Sequence, residues 1–385
     1  MKITGDWIKR PATQAVCAML TTAGHRALFV GGCVRNALLG MPVSDMDLAT
    51  DALPQDVMRL AEAAGLRAVP TGIDHGTVTI VSGGIPHEIT TFRHDIETDG
   101  RRAVVAYTAD VAEDARRRDF TMNALYAEPD GEVVDPLGGL NDLQSRRVRF
   151  IEDAKARIRE DYLRILRFFR FHAWYGDPSA GLDAEGLAAC AALSDGLDGL
   201  SKERVGAEMR KLLAAPDPAP AVASMAAAGC LTRVLPGADA SALPVLVHLE
   251  QSVGAEPNPM RRLSVLGGSN EADLLRLSRQ QARQLDRIRA WIGETAGPRE
   301  LAYREGPEVA LDVILTRAAM FEQPLPDGFL AEIETGSTAK FPISAADLSD
   351  AYSGAALGKR LREIEDAWIA SGFTLDKDTL LRRFP

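Results

Sequence analysis

The chain has 385 residues, 46% hydrophobic and 25% charged, proportions ordinary for a globular protein of two to three domains. Its net charge of −10 excludes a uniformly basic nucleic-acid binder, so an RNA partner would need a local basic face. The scattered Cys17, Cys33, Cys190 and Cys230 exclude a disulfide or zinc framework, and no apolar run suits a signal peptide or membrane span, so a cytoplasmic protein is expected.

Ala27-Leu28-Phe29-Val30 is apolar, partly β-branched and ends at a glycine pair, so it reads as a buried strand. Residues 34–39 read as a short helix stopped by Gly40. A Gly-Gly turn feeding a helix lets backbone N–H groups approach a phosphate where a Cβ would obstruct. About ten residues on stands Ser44-Asp45-Met46-Asp47-Leu48. If this lies on a strand over 46–50, the i, i+2 spacing turns both carboxylates to one face, a platform for Mg²⁺. A solitary D-x-D is more often a solvated turn or a helix cap. The combination with the glycine turn favours metal-assisted phosphoryl or nucleotidyl transfer.

Residues 54–64 read as an amphipathic helix, and 77–81 and 88–92 as strands. Glu88 alternates with apolar neighbours in His87-Glu88-Ile89, so it is either a surface residue or a third carboxylate that polarises an attacking hydroxyl. Residues 94–107 are polar and aperiodic and read as a mobile loop. Arg116-Arg117-Arg118-Asp119 then runs directly into apolar residues, which suggests that one arginine turns into a cleft to neutralise triphosphate charge. Residues 124–128 and 148–150 complete the candidate strands.

From residue 154 onward the texture is helix after helix, interrupted near prolines 216–220, 257–259, 324–326 and 342. In Glu160-Asp161-Tyr162-Leu163-Arg164, the i, i+3 spacing would put Asp161 beside Arg164 on one helix. An isolated pair of this kind is usually a surface ion pair, but Arg164, Arg167 and Arg170 recur among large apolar side chains and need anionic partners. A carboxylate beside a guanidinium also matches the amino donor and ring acceptor that cytosine and adenine share, and mismatches guanine and uracil. Further on, Arg276, Arg279, Arg283 and Arg287 are spaced to share one helical face, either solvated or laid against an RNA backbone.

Gly31-Gly32-Cys33-Val34-Arg35, Asp45-Met46-Asp47, Arg117-Arg118-Asp119, Glu160-Asp161-Tyr162-Leu163-Arg164 and Ser201-Lys202-Glu203-Arg204-Val205 occur in this order. Together they resemble the bacterial class II CCA-adding enzymes, tRNA nucleotidyltransferases related to bacterial poly(A) polymerases. The resemblance is strong over residues 25–215 and weaker over 347–373. It implies an α+β fold, a polymerase-β-like head with a small mixed sheet (1–150) followed by helical neck (151–215), body (216–325) and tRNA-binding tail (326–385). It implies metal ligation by Asp45 and Asp47, triphosphate contacts from Gly32, Arg35 and Arg118, base reading by Asp161 and Arg164, and a pocket lined also by Arg167 and Arg170. The implied substrates are CTP, ATP and the tRNA 3′ end, with two Mg²⁺ ions and no protein or membrane partner. Asn36 departs from the family, which usually has aspartate there. Residues 95–105 look like the flexible loop that CC-only enzymes lack, favouring full CCA addition. Poly(A) synthesis on the same scaffold and noncatalytic RNA binding are the alternatives.

Overall fold

The computed structural model describes residues 1–99, 102–349 and 351–384. The chain divides into two compact units, Met1–Gly237 and Ala238–Pro385. The first contains every strand among the described residues, namely β1 (Leu28–Val30), β2 (Asp47–Thr50), β3 (Arg67–Gly72), β4 (Thr77–Ser82), β5 (Ile85–Thr91), β6 (Arg93–Asp99), β7 (Arg102–Tyr107), β8 (Tyr126–Ala127) and β9 (Val133–Val134). Seven of them form one mixed sheet in the order β3-β4-β5-β2-β1-β8-β9. All neighbours are antiparallel except β2 and β5, which run parallel.

Strand β1 is buried throughout and alternates its contacts across the sheet. Leu28 and Val30 join Ala49, Phe92 and Tyr126 in one core cluster. Phe29 meets the edge of Trp7, ring centroids 5.0 Å apart. Helices α1 (Pro11–Thr22) and α3 (Pro54–Ala63) pack on the sheet, and the short α2 (Gly32–Leu38) leads away from β1. The chain then enters α4 (Ala154–Glu160), α5 (Leu163–Tyr175) and α6 (Lys202–Leu213). Phe120, Phe150, Phe168 and Phe171 form a continuous aromatic contact between the sheet domain and α5, with centroid spacings of 4.9 to 6.3 Å.

Residues 94–107 do not form the expected loop. Strands β6 and β7 pair as an antiparallel hairpin, in register from Arg93↔Tyr107 to Asp99↔Arg102. Gly100 and Arg101 lie outside the described residues. The register shifts between Asp95 and Glu97, a bulge that breaks the period-two pattern by which strands are recognised. The strand expected over 148–150 is reduced to a bridge between Phe120 and Phe150, and that over 124–128 to Tyr126–Ala127. Strands β3 and β9 had no counterpart in the sequence reading; β3 carries exposed and half-buried residues in place of an apolar stripe.

The second unit is helical and includes α7 (Leu243–Ser252), α8 (Pro259–Leu266), α9 (Arg279–Ile292), α10 (Pro298–Glu305), α11 (Pro307–Met320) and α12 (Phe329–Thr338). Its core contains charge: Arg261 donates to Glu250 at 2.7 Å and to Asp312 at 2.9 Å, and Arg262 pairs with Glu250, all of them buried. Helix α12 lies so close to α10 that a Cβ on Gly336 would come 2.0 Å from the Arg299 carbonyl oxygen. The expected divisions at 150, 215 and 325 fall inside these units.

Candidate active site

Asp47 opens β2 and pairs in register with Glu88 on the parallel β5. Neighbours in register on adjacent strands point to the same face, so the two carboxylates stand side by side. Asp45 precedes the strand, contrary to the expected strand placement, but the alternation survives: Met46 is buried between an exposed Asp45 and a half-buried Asp47. The three acids and Thr79 border one recess of about 400 Å³. Burial, then Glu88 and Asp45, push the Asp47 carboxyl up to about 6 against the opposing pull of Arg118.

Among the described residues no set of three or more His, Cys, Asp or Glu side chains is gathered as a complete metal cage. The donor set nevertheless fits Mg²⁺, which is commonly held by one or two carboxylates and completed by water and substrate phosphates. The raised Asp47 carboxyl reflects burial first and then the negative charge of Glu88 and Asp45, which a divalent cation would offset.

Asp47 also borders a second cleft of about 450 Å³. Its near wall is the glycine turn. Gly31 has φ +70° and ψ −118°, a conformation an L side chain rarely adopts, which explains glycine at that position. Arg118 lies beside it, with Nη1 3.6 Å from where a Gly31 Cβ would sit. Its other nitrogens are fixed, Nε to the Tyr126 hydroxyl at 3.1 Å and Nη2 to Asp114 at 3.0 Å. Burial would raise Asp114, but Arg118 and Arg117 outweigh it and hold the carboxyl down to about 2. Arg35 is buried, donates to Asn36, Asn123 and Tyr175, and stacks 3.9 Å from the Tyr175 ring centroid. Asn36 is thus engaged as an amide: its Oδ1 accepts from Arg35 at 3.0 Å and its Nδ2 donates to the Pro42 carbonyl at 3.0 Å.

The far wall comes from the helical segment. Asp161 and Arg164 both border the cleft but do not share a helix. Asp161 has extended backbone between α4 and α5, and its Oδ1 accepts from the Leu163 N–H, so capping replaces helix continuation. Its Oδ2 accepts from Arg204 of α6 at 2.6 Å. Arg164 pairs with Glu160 and donates to the carbonyls of Arg157 and Arg117. Arg167 lines the cleft and bonds Asp119. Burial alone would raise that carboxyl; Arg167, the Asn123 amide and the Phe120 N–H bring it down to about 2. Arg170 does not line the cleft as expected; it turns to Glu208 of α6 and lies 4.5 Å from the Phe171 ring centroid.

Sequence reasoning assigned no role to Arg204, Asn123 or Tyr175. Arg204 stood within a quoted motif, whereas nothing in the sequence connects Tyr175 with Arg35, 140 positions away. In the second unit the expected arginine stripe is shortened. Arg276 lies outside α9 with φ +44° and pairs with Asp273. Arg287 pairs with Glu305, leaving Arg279 and Arg283 exposed on the helix. The capping box Ser278/Gln281 marks the true start of α9.

The sheet, its paired strand carboxylates and the helical segment define a nucleotidyltransferase fold. The family model described as the poly A polymerase head domain matches residues 27–149, and that described as a probable RNA and SrmB-binding site of polymerase A matches 181–241. The mitochondrial CCA tRNA nucleotidyltransferase 1 of Mus musculus is 31% identical over 96% of this chain and 88% of its own length, and that of Homo sapiens is 32% identical over the same shares. The CCA-adding enzyme of Geobacillus thermodenitrificans is 40% identical over 60% of this chain and 56% of its own. The crystal structure of the Bacillus stearothermophilus CCA-adding enzyme in complex with CTP superposes with a TM-score of 0.71 at 26% identity, covering 97% of this chain and 98% of that one. The chain belongs to the CCA tRNA nucleotidyltransferase family of enzymes, with both bacterial and mitochondrial relatives. No helix among the described residues is long and apolar enough to cross a membrane.

Proposed function

We propose that this chain adds C, C and A to the 3′ end of tRNA without a nucleic-acid template, using CTP and ATP and releasing pyrophosphate. The observation that carries the reading is one cleft in which Gly32, Arg35, Arg118 and Asp47 face Asp161, Arg164 and Arg167. The triphosphate lies toward Gly32, Arg35 and Arg118, and the base toward Asp161 and Arg164, with Arg167 lining the pocket. The charge-assisted donors suit phosphate oxygens, and the carboxylate–guanidinium edge suits the base edge common to C and A.

The tRNA 3′-hydroxyl approaches Asp47 from the neighbouring acidic recess. Its oxygen attacks the α-phosphorus, a 3′-O–P bond forms, the bond to the bridging β-phosphate oxygen breaks, and pyrophosphate departs. Glu88, beside Asp47, accepts the hydroxyl proton. Asp45 and Asp47 would hold a divalent cation such as Mg²⁺, which when bound would supply charge neutralisation for the phosphoryl group being transferred. The raised Asp47 carboxyl supports this metal role. Arg170, paired with Glu208, supports the pocket from behind Phe171. The order of the five motifs supports a place in the bacterial class II branch, and the scattered unpaired cysteines support work in the cytoplasm. The head, neck, body and tail at 1–150, 151–215, 216–325 and 326–385 serve respectively catalysis, base recognition and, for the last two, tRNA binding.

The test is incubation of the purified chain and Mg²⁺ with tRNA lacking its 3′ end and each labelled nucleoside triphosphate, singly and together. Incorporation of C, C and then a single A supports the reading. A long A tract from ATP alone would replace it with poly(A) synthesis, and RNA retention without incorporation would reduce it to binding.

A further inference from the structure

Besides the Phe168 and Arg164 contacts, helix α5 turns three residues of one face toward the sheet domain, Arg167, Phe171 and Tyr175, spaced i, i+4 and i+8. Arg167 donates to Asp119 at 2.7 Å. The Tyr175 hydroxyl accepts from Arg35 Nη2 at 2.8 Å. Between them, the Phe171 ring centroid lies 5.2 Å from the Arg35 guanidinium and 5.3 Å from that of Arg167.

Asn123 closes the circuit on the other side. Its Nδ2 donates to Asp119 Oδ1 at 2.9 Å, and its Oδ1 accepts from Arg35 Nη1 at 2.5 Å. The direction of this amide follows from its partners. A guanidinium can only donate and an ionised carboxylate can only accept, so the linking side chain must present an acceptor to one and a donor to the other. Asn123 presents the two on separate atoms of one short side chain, Oδ1 to Arg35 and Nδ2 to Asp119. Asn123 is buried and borders the cleft. The side chains that accept from Arg35, those of Asn36, Asn123 and Tyr175, are neutral, so they aim the guanidinium without cancelling its charge.

We propose that Asn123 is a positioning residue that ties Arg35, on the triphosphate side, to Arg167, on the base side, so that the two ends of the nucleotide site are set together. The inference rests on the reading of this cleft as the nucleotide site. Buried polar links of this kind transmit position because each group has one satisfied orientation.

The experiment is a double-mutant cycle read in nucleotide KM and kcat for single additions of C and of A. Arg35→Lys and Arg167→Lys keep charge but lose the fork, and each raises nucleotide KM. Combined in the otherwise unaltered chain, their effects on KM depart from the product of the two by at least threefold. In an Asn123→Ala background the same pair multiplies to within about 1.5-fold, while Asn123→Ala alone raises KM for both nucleotides and leaves kcat within threefold. Asn123→Asp, which keeps the size and the acceptor for Arg35 but loses the donor to Asp119, removes the coupling too and serves if the alanine variant melts early. Coupling that persists in both Asn123 variants, or is absent without them, overturns the proposal. Unchanged nucleotide KM in Arg35→Lys would instead remove Arg35 from the nucleotide site, and that result defeats the underlying reading and the proposal together.

Discussion

Replacing Asp47 with asparagine should stabilise the metal-free protein while disabling it. The carboxyl is pushed from its usual 3.8 up to about 6 by burial and by Glu88 and Asp45. At ~1.4 kcal/mol for each tenfold change in acidity, the ionised group costs the fold roughly 3 kcal/mol at most. Because Asp47 is only partly buried, solvent screening lowers that to about 1–2 kcal/mol. The sign follows from proton binding: between pH 4 and 6 the folded chain holds this proton more tightly than the unfolded one, so this group's stabilisation is full below about 4 and lost as pH rises through about 6. In EDTA at pH 7.5, Asp47→Asn should therefore melt about 2–8 °C above the parent, given ~2–4 °C per kcal/mol for a unit of this size. The advantage should shrink toward pH 4. Mg²⁺ should reverse it, since binding to the folded parent at 100 times Kd contributes about 2.7 kcal/mol that a variant lacking the ligand forgoes. Single-turnover addition of C and A should fall at least about tenfold, since loss of a metal ligand removes several kcal/mol of transition-state stabilisation. An unchanged or lower melting temperature in EDTA would refute the charge argument. Equal stabilisation of both chains by Mg²⁺ would refute the metal assignment.

Asp161→Ala should admit UTP or GTP relative to CTP by roughly tenfold or more, because one base-edge contact carries about 1–3 kcal/mol; equal slowing of CTP and ATP with intact exclusion of the others would make Asp161 merely the anchor of Arg204. Arg279→Ala with Arg283→Ala should flatten the slope of log tRNA affinity against log salt by about one to two units, whereas an unchanged slope would place the RNA backbone elsewhere. Arg261→Ala strands the buried Asp312 and half of the Glu250 pairing, and should cost about 3–5 kcal/mol in urea unfolding; a loss under 1 kcal/mol would mean that water or Arg262 takes over.

The central strands were legible because β1, β2 and β5 each carry short apolar or alternating runs, and because a glycine pair marks the end of β1. The cleft and the acidic recess beside it were legible where chemistry is concentrated in short motifs, as with Asp47, Arg118 and Asp161 for the one and Asp45 for the other. What escaped depends on distance in sequence. The pairing of Arg204 with Asp161 and of Tyr175 with Arg35 is made by helix packing, which leaves no local pattern. Regular spacing also misled. Asp161 and Arg164 are three apart yet separated by a helix break, because the carboxylate caps the helix that follows. Arg276 fits the helical period of α9 but precedes its capping box.

The parallel pairing of β2 with β5 has a consequence for how the molecule guards against building a faulty site. Side chains alternate across a strand, so a slip of β5 by one residue would exchange the places of Glu88 and His87. His87 is completely enclosed, with one ring nitrogen 3.1 Å from the Thr13 hydroxyl and the other 3.1 Å from the Ile85 carbonyl. A shifted strand would press a carboxylate into that enclosed slot and leave the imidazole facing Asp47. Such a slip would therefore bury an unpartnered charge as it dismantled the acid pair, so the register that sets two acids side by side is also the one the enclosed face of β5 favours.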